Sequence, residues 1–146
     1  MDDSATALFH HAFPVSDIAQ ARHFYGDVLG CRTARRSDDR AIDFDFFGHH
    51  IIAHLVDGDD AELHRKASHG LNIAVRHFGV AVDWPAWEGI VQRLRDADVP
   101  FVVEPTVKHT GEPQEEAYVV VTDPAGNAIE FKTFRDPRYL FTSAAP

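Results

Sequence analysis

The stretch AYVVVTDPAGNAIEFKTF, residues 117–134, decides the fold. Val119 to Val121 is a β-branched run that favours a strand. Asp123-Pro124-Ala125-Gly126-Asn127 is turn chemistry: Pro124 presets φ, and Gly126 and Asn127 tolerate positive φ. A second strand resumes at Ala128. Alternation puts Ile129 and Phe131 on one face and Ala128, Glu130 and Lys132 on the other. Glu130 is thus a carboxylate in mid-strand between two large apolar neighbours. It belongs either to a solvated face or to a ligand set, and the histidines elsewhere favour the second reading.

Bulk composition narrows the field. At 146 residues the chain is one domain or two small modules, and 45% hydrophobic content suffices for a core. A formal charge of −9 argues against nucleic acid or an anionic membrane as partner and favours a small molecule. The single cysteine, Cys31, excludes a disulfide framework and a thiolate metal site. No signal peptide or membrane-spanning run is recognisable, so a cytoplasmic location is expected.

Outward from the opening stretch, two similar halves emerge. Leu8 to Val15 reads as a strand with Phe9, His11, Phe13 and Val15 on a bulky face and His10, Ala12 and Pro14 on a smaller one. Asp17 caps a helix whose apolar stripe is Ile18, Ala21, Phe24, Tyr25, Val28 and Leu29, and Gly30 ends it. Arg32 to Arg40 is polar. Ile42–Phe47 and His50–Val56 alternate and form a hairpin through Gly48-His49, with His50, Ile52 and His54 sharing a face. Residues 57–75 read as a linker in which His64 and His69 are solvated. His77 to Asp83 then repeats the first strand, with His77, Gly79 and Ala81 opposite Phe78, Val80 and Val82. Asp83 and Pro85 start a second helix with the stripe Trp87, Ile90, Val91 and Leu94. Val99–Val103 is a strand ended by Glu104-Pro105, Lys108–Glu116 a polar loop, and 134–146 a tail. The order is strand, helix, three strands, twice: modules of about 8–56 and 76–133.

The two first strands each carry a histidine on a face of small residues, His10 and His77. The two last strands each carry a ligand-type residue, His54 and Glu130. Two-fold packing of equivalent modules would converge these four on one cup. An imidazole and carboxylate set suits Fe(II), Mn(II), Ni(II), Co(II) or Zn(II). Taken singly, each histidine is more simply a solvated polar side chain; the joint pattern is what argues for a metal. Phe44, Phe46 or Phe47, Trp84 and Tyr118 would suit a planar substrate if they lined the cup, although such aromatics more commonly build the core.

HHAFPVSDIAQARHFYGDVLG (10–30), HFGVAVD (77–83) and TDPAGNAIEF (122–131) resemble the vicinal oxygen chelate superfamily of glyoxalase I, extradiol dioxygenases and bleomycin- or fosfomycin-resistance proteins. DFDFFGHHIIAHL (43–55) and FKTFRDP (131–137) resemble a branch of extradiol-type dioxygenases. The resemblance covers nearly the whole chain. It implies an α+β fold of two βαβββ modules forming a cupped, partly closed sheet around a metal, with helices outside. His10, His77 and Glu130 match its metal positions. His54 stands at the second ligand position of glyoxalase-type members and is either a fourth ligand or a base. The tyrosine that extradiol enzymes carry near the substrate falls at Val120, with Tyr118 two residues earlier on the same face. The resemblance therefore implies a divalent-metal enzyme, with Fe(II) favoured. A dioxygenase acting on a catechol-like molecule is expected, with His54 and Tyr118 handling protons. A glyoxalase-I-like lyase or a non-catalytic drug-binding protein are the alternatives, and a homodimer is expected.

Overall fold

The computed structural model describes residues 8–56 and 76–141. The linker expected over 57–75, with His64 and His69, lies outside them, as does the end of the tail. The chain divides into two compact units, Met1–Gly58 and Asp59–Pro146.

In the first unit, β1 (His10–Val15) leads into α1 (Ile18–Ala21), which passes directly into a π-helix over Arg22–Val28. Strands β2 (Arg32–Ser37), β3 (Ala41–Phe46) and β4 (His49–Leu55) follow. The sheet order is β1-β4-β3-β2, with β1 and β4 parallel and the rest antiparallel. Asp17 caps α1 by accepting from the Gln20 backbone N–H at 2.9 Å. The expected regular α-helix becomes a π-helix beyond Ala21: the Leu29 N–H reaches back five residues to the Phe24 carbonyl, 3.0 Å away. The wider turn lets the adjacent Phe24 and Tyr25 both reach the core, where Tyr25 packs against Phe13 and Phe44 at 5.3 and 5.2 Å between ring centres. Ile42, Phe44, Phe46, Ile51 and Ala53 complete this buried face.

The β3–β4 turn is one residue earlier than the sequence suggests. Phe47 and Gly48 form it, both at positive φ (52° and 85°), and β4 starts at His49. Two successive positive-φ residues suit the right-handed twist of a hairpin. Asp45 holds the turn by accepting from the Gly48 N–H at 2.8 Å.

The second unit repeats the pattern: β5 (His77–Val82), α2 (Trp84–Asp96), β6 (Phe101–Lys108), β7 (Glu116–Thr122) and β8 (Ala128–Phe134), in the sheet order β5-β8-β7-β6. Trp87, Ile90, Val91 and Leu94 of α2 are buried, and the Trp87 indole N–H donates to the Phe131 carbonyl at 3.0 Å. Strand β6 does not end at Glu104-Pro105 but runs through to Lys108, past a register irregularity between Val103 and Thr106. A proline is tolerated there because β6 is an edge strand with no partner on one side. A short 3-10 turn, Pro137–Leu140, follows β8. The chain is thus a mixed α+β protein of two βαβββ modules.

The turn between β7 and β8 is fastened less by Pro124 than by Asp123. Its buried carboxylate accepts from the backbone N–H groups of Ala125 (3.0 Å) and Asn127 (2.8 Å) and from the Asn127 side-chain amide (2.8 Å). Within this turn only Gly126 has positive φ.

Candidate metal-binding site

Each sheet has one face covered by its helix and one face that carries the candidate residues. In the second unit, parallel pairing aligns His77 with Ala128 and Gly79 with Glu130. That register puts His77 and Glu130 diagonally across neighbouring strands, and His77 Nε2 lies 3.3 Å from Glu130 Oε2. Both side chains are partly exposed, so their donor atoms remain reachable. Lys132 Nζ approaches the other carboxylate oxygen at 4.0 Å. Tyr118 pairs with Lys132 across β7–β8, one pleat repeat from Glu130, and the Lys108 ammonium sits 5.0 Å over its ring. Val120, the residue directly opposite Glu130, is fully buried.

Gly79 makes this geometry possible. A Cβ at that position would lie 1.7 Å from the Glu130 carbonyl oxygen, far inside contact distance. Only a residue with no side chain lets β5 come this close to the backbone of Glu130.

In the first unit the same parallel register aligns His10 with His50 and Pro14 with His54. His10 is on the open face, while His11 turns to the core side beside Phe13, where burial, and then the neighbouring His10, lowers its pKa. His10 Nδ1 and His50 Nδ1 are hydrogen-bonded at 2.7 Å, and His50 Nε2 is 3.3 Å from Asp43 Oδ2. His54 stands four residues further along β4, about 13 Å at strand spacing, paired with Pro14 and Ala41.

The two registers can be superimposed by counting. If His10 corresponds to His77, then His50 corresponds to Ala128, Ile52 to Glu130 and His54 to Lys132. The first-unit counterpart of the carboxylate is therefore apolar. Among the described residues, no group of three or more His, Cys, Asp or Glu side chains is gathered to hold a metal ion. What the structure does bring together is two pairs, His77 with Glu130 and His10 with His50. The donors themselves, imidazole nitrogen and carboxylate oxygen, fit a borderline divalent cation. His50 and Asp43 were not singled out by sequence. The signal that finds them is the register of a parallel pair between strands far apart in the chain.

A cavity of about 390 Å³ lies at the far end of β5, bounded by Ala81, Trp84, Phe134, Arg135 and Leu140, with the Arg135 guanidinium 3.6 Å over the Trp84 ring. Ala81 is four positions beyond His77, so the cavity is separate from the His77–Glu130 pair. Of the aromatics considered for a substrate cup, Phe44 and Phe46 are core, and Trp84 faces this cavity. No helix among the described residues is long and apolar enough to cross a membrane.

Comparison with known proteins agrees with this architecture. Residues 7–131 match the family model described as the Glyoxalase/Bleomycin resistance protein/Dioxygenase superfamily. The structure resembles a glyoxalase/bleomycin resistance protein/dioxygenase from Alicyclobacillus acidocaldarius, with 31% identity, a TM-score of 0.76, and coverage of 93% of this chain and 97% of that one. A lactoylglutathione lyase from Agrobacterium tumefaciens shares the fold at 17% identity and a TM-score of 0.60, over 94% of this chain and 98% of that one. So does a genomically encoded fosfomycin resistance protein from Listeria monocytogenes, at 13% identity and 0.62, over 88% and 93%. Among curated proteins none matches. With the family model spanning both modules, the chain belongs to the glyoxalase/bleomycin resistance protein/dioxygenase superfamily.

Proposed function

We propose that this chain is a divalent-metal-dependent enzyme acting on a small catechol-like molecule in the manner of an extradiol dioxygenase, with His10, His77 and Glu130 as ligands and Fe(II) as the favoured metal. The superfamily generally binds divalent metals and small molecules. The observation that carries the finer reading is the register count. Ile52 stands where a fourth ligand would be expected by symmetry with Glu130. Two histidines and one carboxylate remain, a set that leaves coordination positions open for a chelating diol and for dioxygen.

Bound iron would supply acidification of the diol and electrons for oxygen. The chain's own residues carry the rest. Glu130 contributes negative charge to the ligand set, and Lys132, 4.0 Å away, offsets part of it. Tyr118, on the same face, and His54 are the proton-handling groups. A homodimer is part of the proposal, to be read from the solution mass.

The test is the metal content of protein purified anaerobically, repeated on Glu130→Ala and His54→Ala, followed by oxygen uptake with a panel of catechols. Near-stoichiometric iron that is lost in Glu130→Ala and kept in His54→Ala supports the three-ligand enzyme. Ni, Co or Zn lost in both variants replaces it with a four-ligand lyase. A protein that takes up no metal on titration is a non-catalytic binder. Iron without oxygen uptake on any catechol refutes the dioxygenase assignment.

A further inference from the structure

We propose that Asp43 and His50 are positioning residues for His10, holding its imidazole in the Nδ1–H tautomer so that Nε2 presents a bare lone pair. The inference rests on the reading of His10 as a metal ligand and concerns how that ligand is prepared before any metal arrives.

The geometry between the two rings admits one proton. His10 Nδ1 and His50 Nδ1 are 2.7 Å apart, so one nitrogen donates and the other accepts. The ring centres are 4.8 Å apart and the planes are inclined by only 17°. With the nitrogens so close, that spacing leaves little more than the two ring radii. The rings meet edge to edge rather than face to face, as an in-line N–H···N bond requires.

Asp43 decides the direction. Its carboxylate is buried, 8% exposed, and on adjacent strand β3 it sits diagonally from His50. Oδ1 is buried with no hydrogen-bond partner, and Oδ2 receives only a long contact, 3.4 Å, from the Arg36 backbone N–H besides His50 Nε2 at 3.3 Å. A carboxylate so poorly solvated draws the nearest available proton toward itself. In a neutral imidazole a proton on His50 Nε2 leaves His50 Nδ1 as the acceptor. His10 Nδ1 must then be the donor, and the one remaining proton of its ring is used. Its Nε2 is left unprotonated, the form that ligates a cation. Removing the carboxylate frees the chain of bonds to reverse, with His50 Nδ1–H donating to His10 and the His10 proton moving to Nε2. An outer partner that fixes a histidine tautomer typically changes metal affinity 10- to 100-fold.

The experiment uses metal-free, 15N-histidine-labelled full-length protein, with long-range 1H–15N correlations to read each ring's tautomer. His10 is expected as Nδ1–H and His50 as Nε2–H in the wild type, with the His10 Nδ1–H population falling in Asp43→Asn and in His50→Phe. A wild-type His10 that is predominantly Nε2–H overturns the proposal without any variant needing to fold. Mn(II) titration by calorimetry is the second readout. Asp43→Asn is expected to weaken Mn(II) binding by about 10-fold or more, and equal affinity in a folded variant overturns the proposal. Wild-type protein that binds no Mn(II), Fe(II) or Co(II) refutes the metal reading instead, and the tautomer spectrum still decides the Asp43–His50–His10 arrangement.

Discussion

Replacing Gly79 by alanine gives a prediction whose sign separates two views of the second sheet. An alanine Cβ at this position would sit 1.7 Å from the Glu130 carbonyl oxygen, 2.7 Å from its carbonyl carbon and 3.1 Å from its nitrogen. Carbon and oxygen without a covalent bond settle at about 3.3 Å or more. The strands must therefore part by about 1.5 Å at the Gly79–Glu130 pair, or β5 must rotate out of register. The contact is with backbone, so no side chain can swing away to relieve it. Two ladder hydrogen bonds weakened at about 1 kcal/mol each, plus about 1–3 kcal/mol of overpacking strain, give a loss of about 3–5 kcal/mol. If the site had room, the substitution would stabilise instead, by about 0.5–1 kcal/mol, because glycine is the poorer strand residue. Urea unfolding followed by circular dichroism reads the difference, and the same protein titrated with Mn(II) should bind it at least about 10-fold more weakly because Glu130 is displaced. A Gly79→Ala protein as stable as the wild type, or more so, would refute the close approach of β5 and β8.

Other outcomes follow from the same geometry. Asp123→Ala removes a buried acceptor of three hydrogen bonds and should cost about 3–5 kcal/mol, with a fall in urea midpoint; a loss below about 1 kcal/mol contradicts the role given to this turn. Trp87→Phe strips the Phe131 carbonyl of its indole donor and leaves space in the core, for a loss of about 1–3 kcal/mol by the same assay. The Asp38 carboxyl, bonded to the Arg36 guanidinium and to the N–H groups of Arg40 and Ala41, is lowered from 3.8 to about 2. Because the folded value is the depressed one, its contribution is present above pH 3.8 and disappears as the pH falls toward 2. Carboxyl NMR should find Asp38 titrating well below that ordinary value, and an unshifted curve would exclude the Arg36 contact in solution.

Much of this was legible in the sequence because strands have a period of two. Alternation alone assigned His10, His50, Ile52 and His54 to one face, and His77, Gly79 and Ala81 to another, as the structure has them. Caps at Asp17 and Asp83 were legible for a similar reason, since a carboxylate before an apolar stripe has one local job. Register was not legible. Which β4 histidine meets His10 depends on pairing between strands remote in the chain and on a turn whose Phe47 adopts positive φ, a conformation that a phenylalanine does not advertise. The π-helix was hidden because its apolar stripe reads equally well at helical spacing. Strand β6 was cut short in the reading because proline stops an interior strand, whereas the edge position that excuses Pro105 is a property of the finished sheet.

In both units the opening strand pairs with the closing one, β1 with β4 and β5 with β8. This has a consequence for the order of events on the ribosome. About 35 residues follow β1 before its partner exists, and about 45 follow β5, delays of about 2–9 s at ordinary elongation rates of about 5–20 residues per second. Neither His10 nor His77 has its neighbouring strand while the middle of its module is being made. Glu130 is supplied only by the last strand synthesised. Nascent chains stalled before Ala128 should therefore be cleaved by protease within β5 and should retain no cation, while chains extended past Phe134 should gain protection and cation retention together. Metal loading in this architecture is a post-synthetic event, timed by the arrival of the final strand.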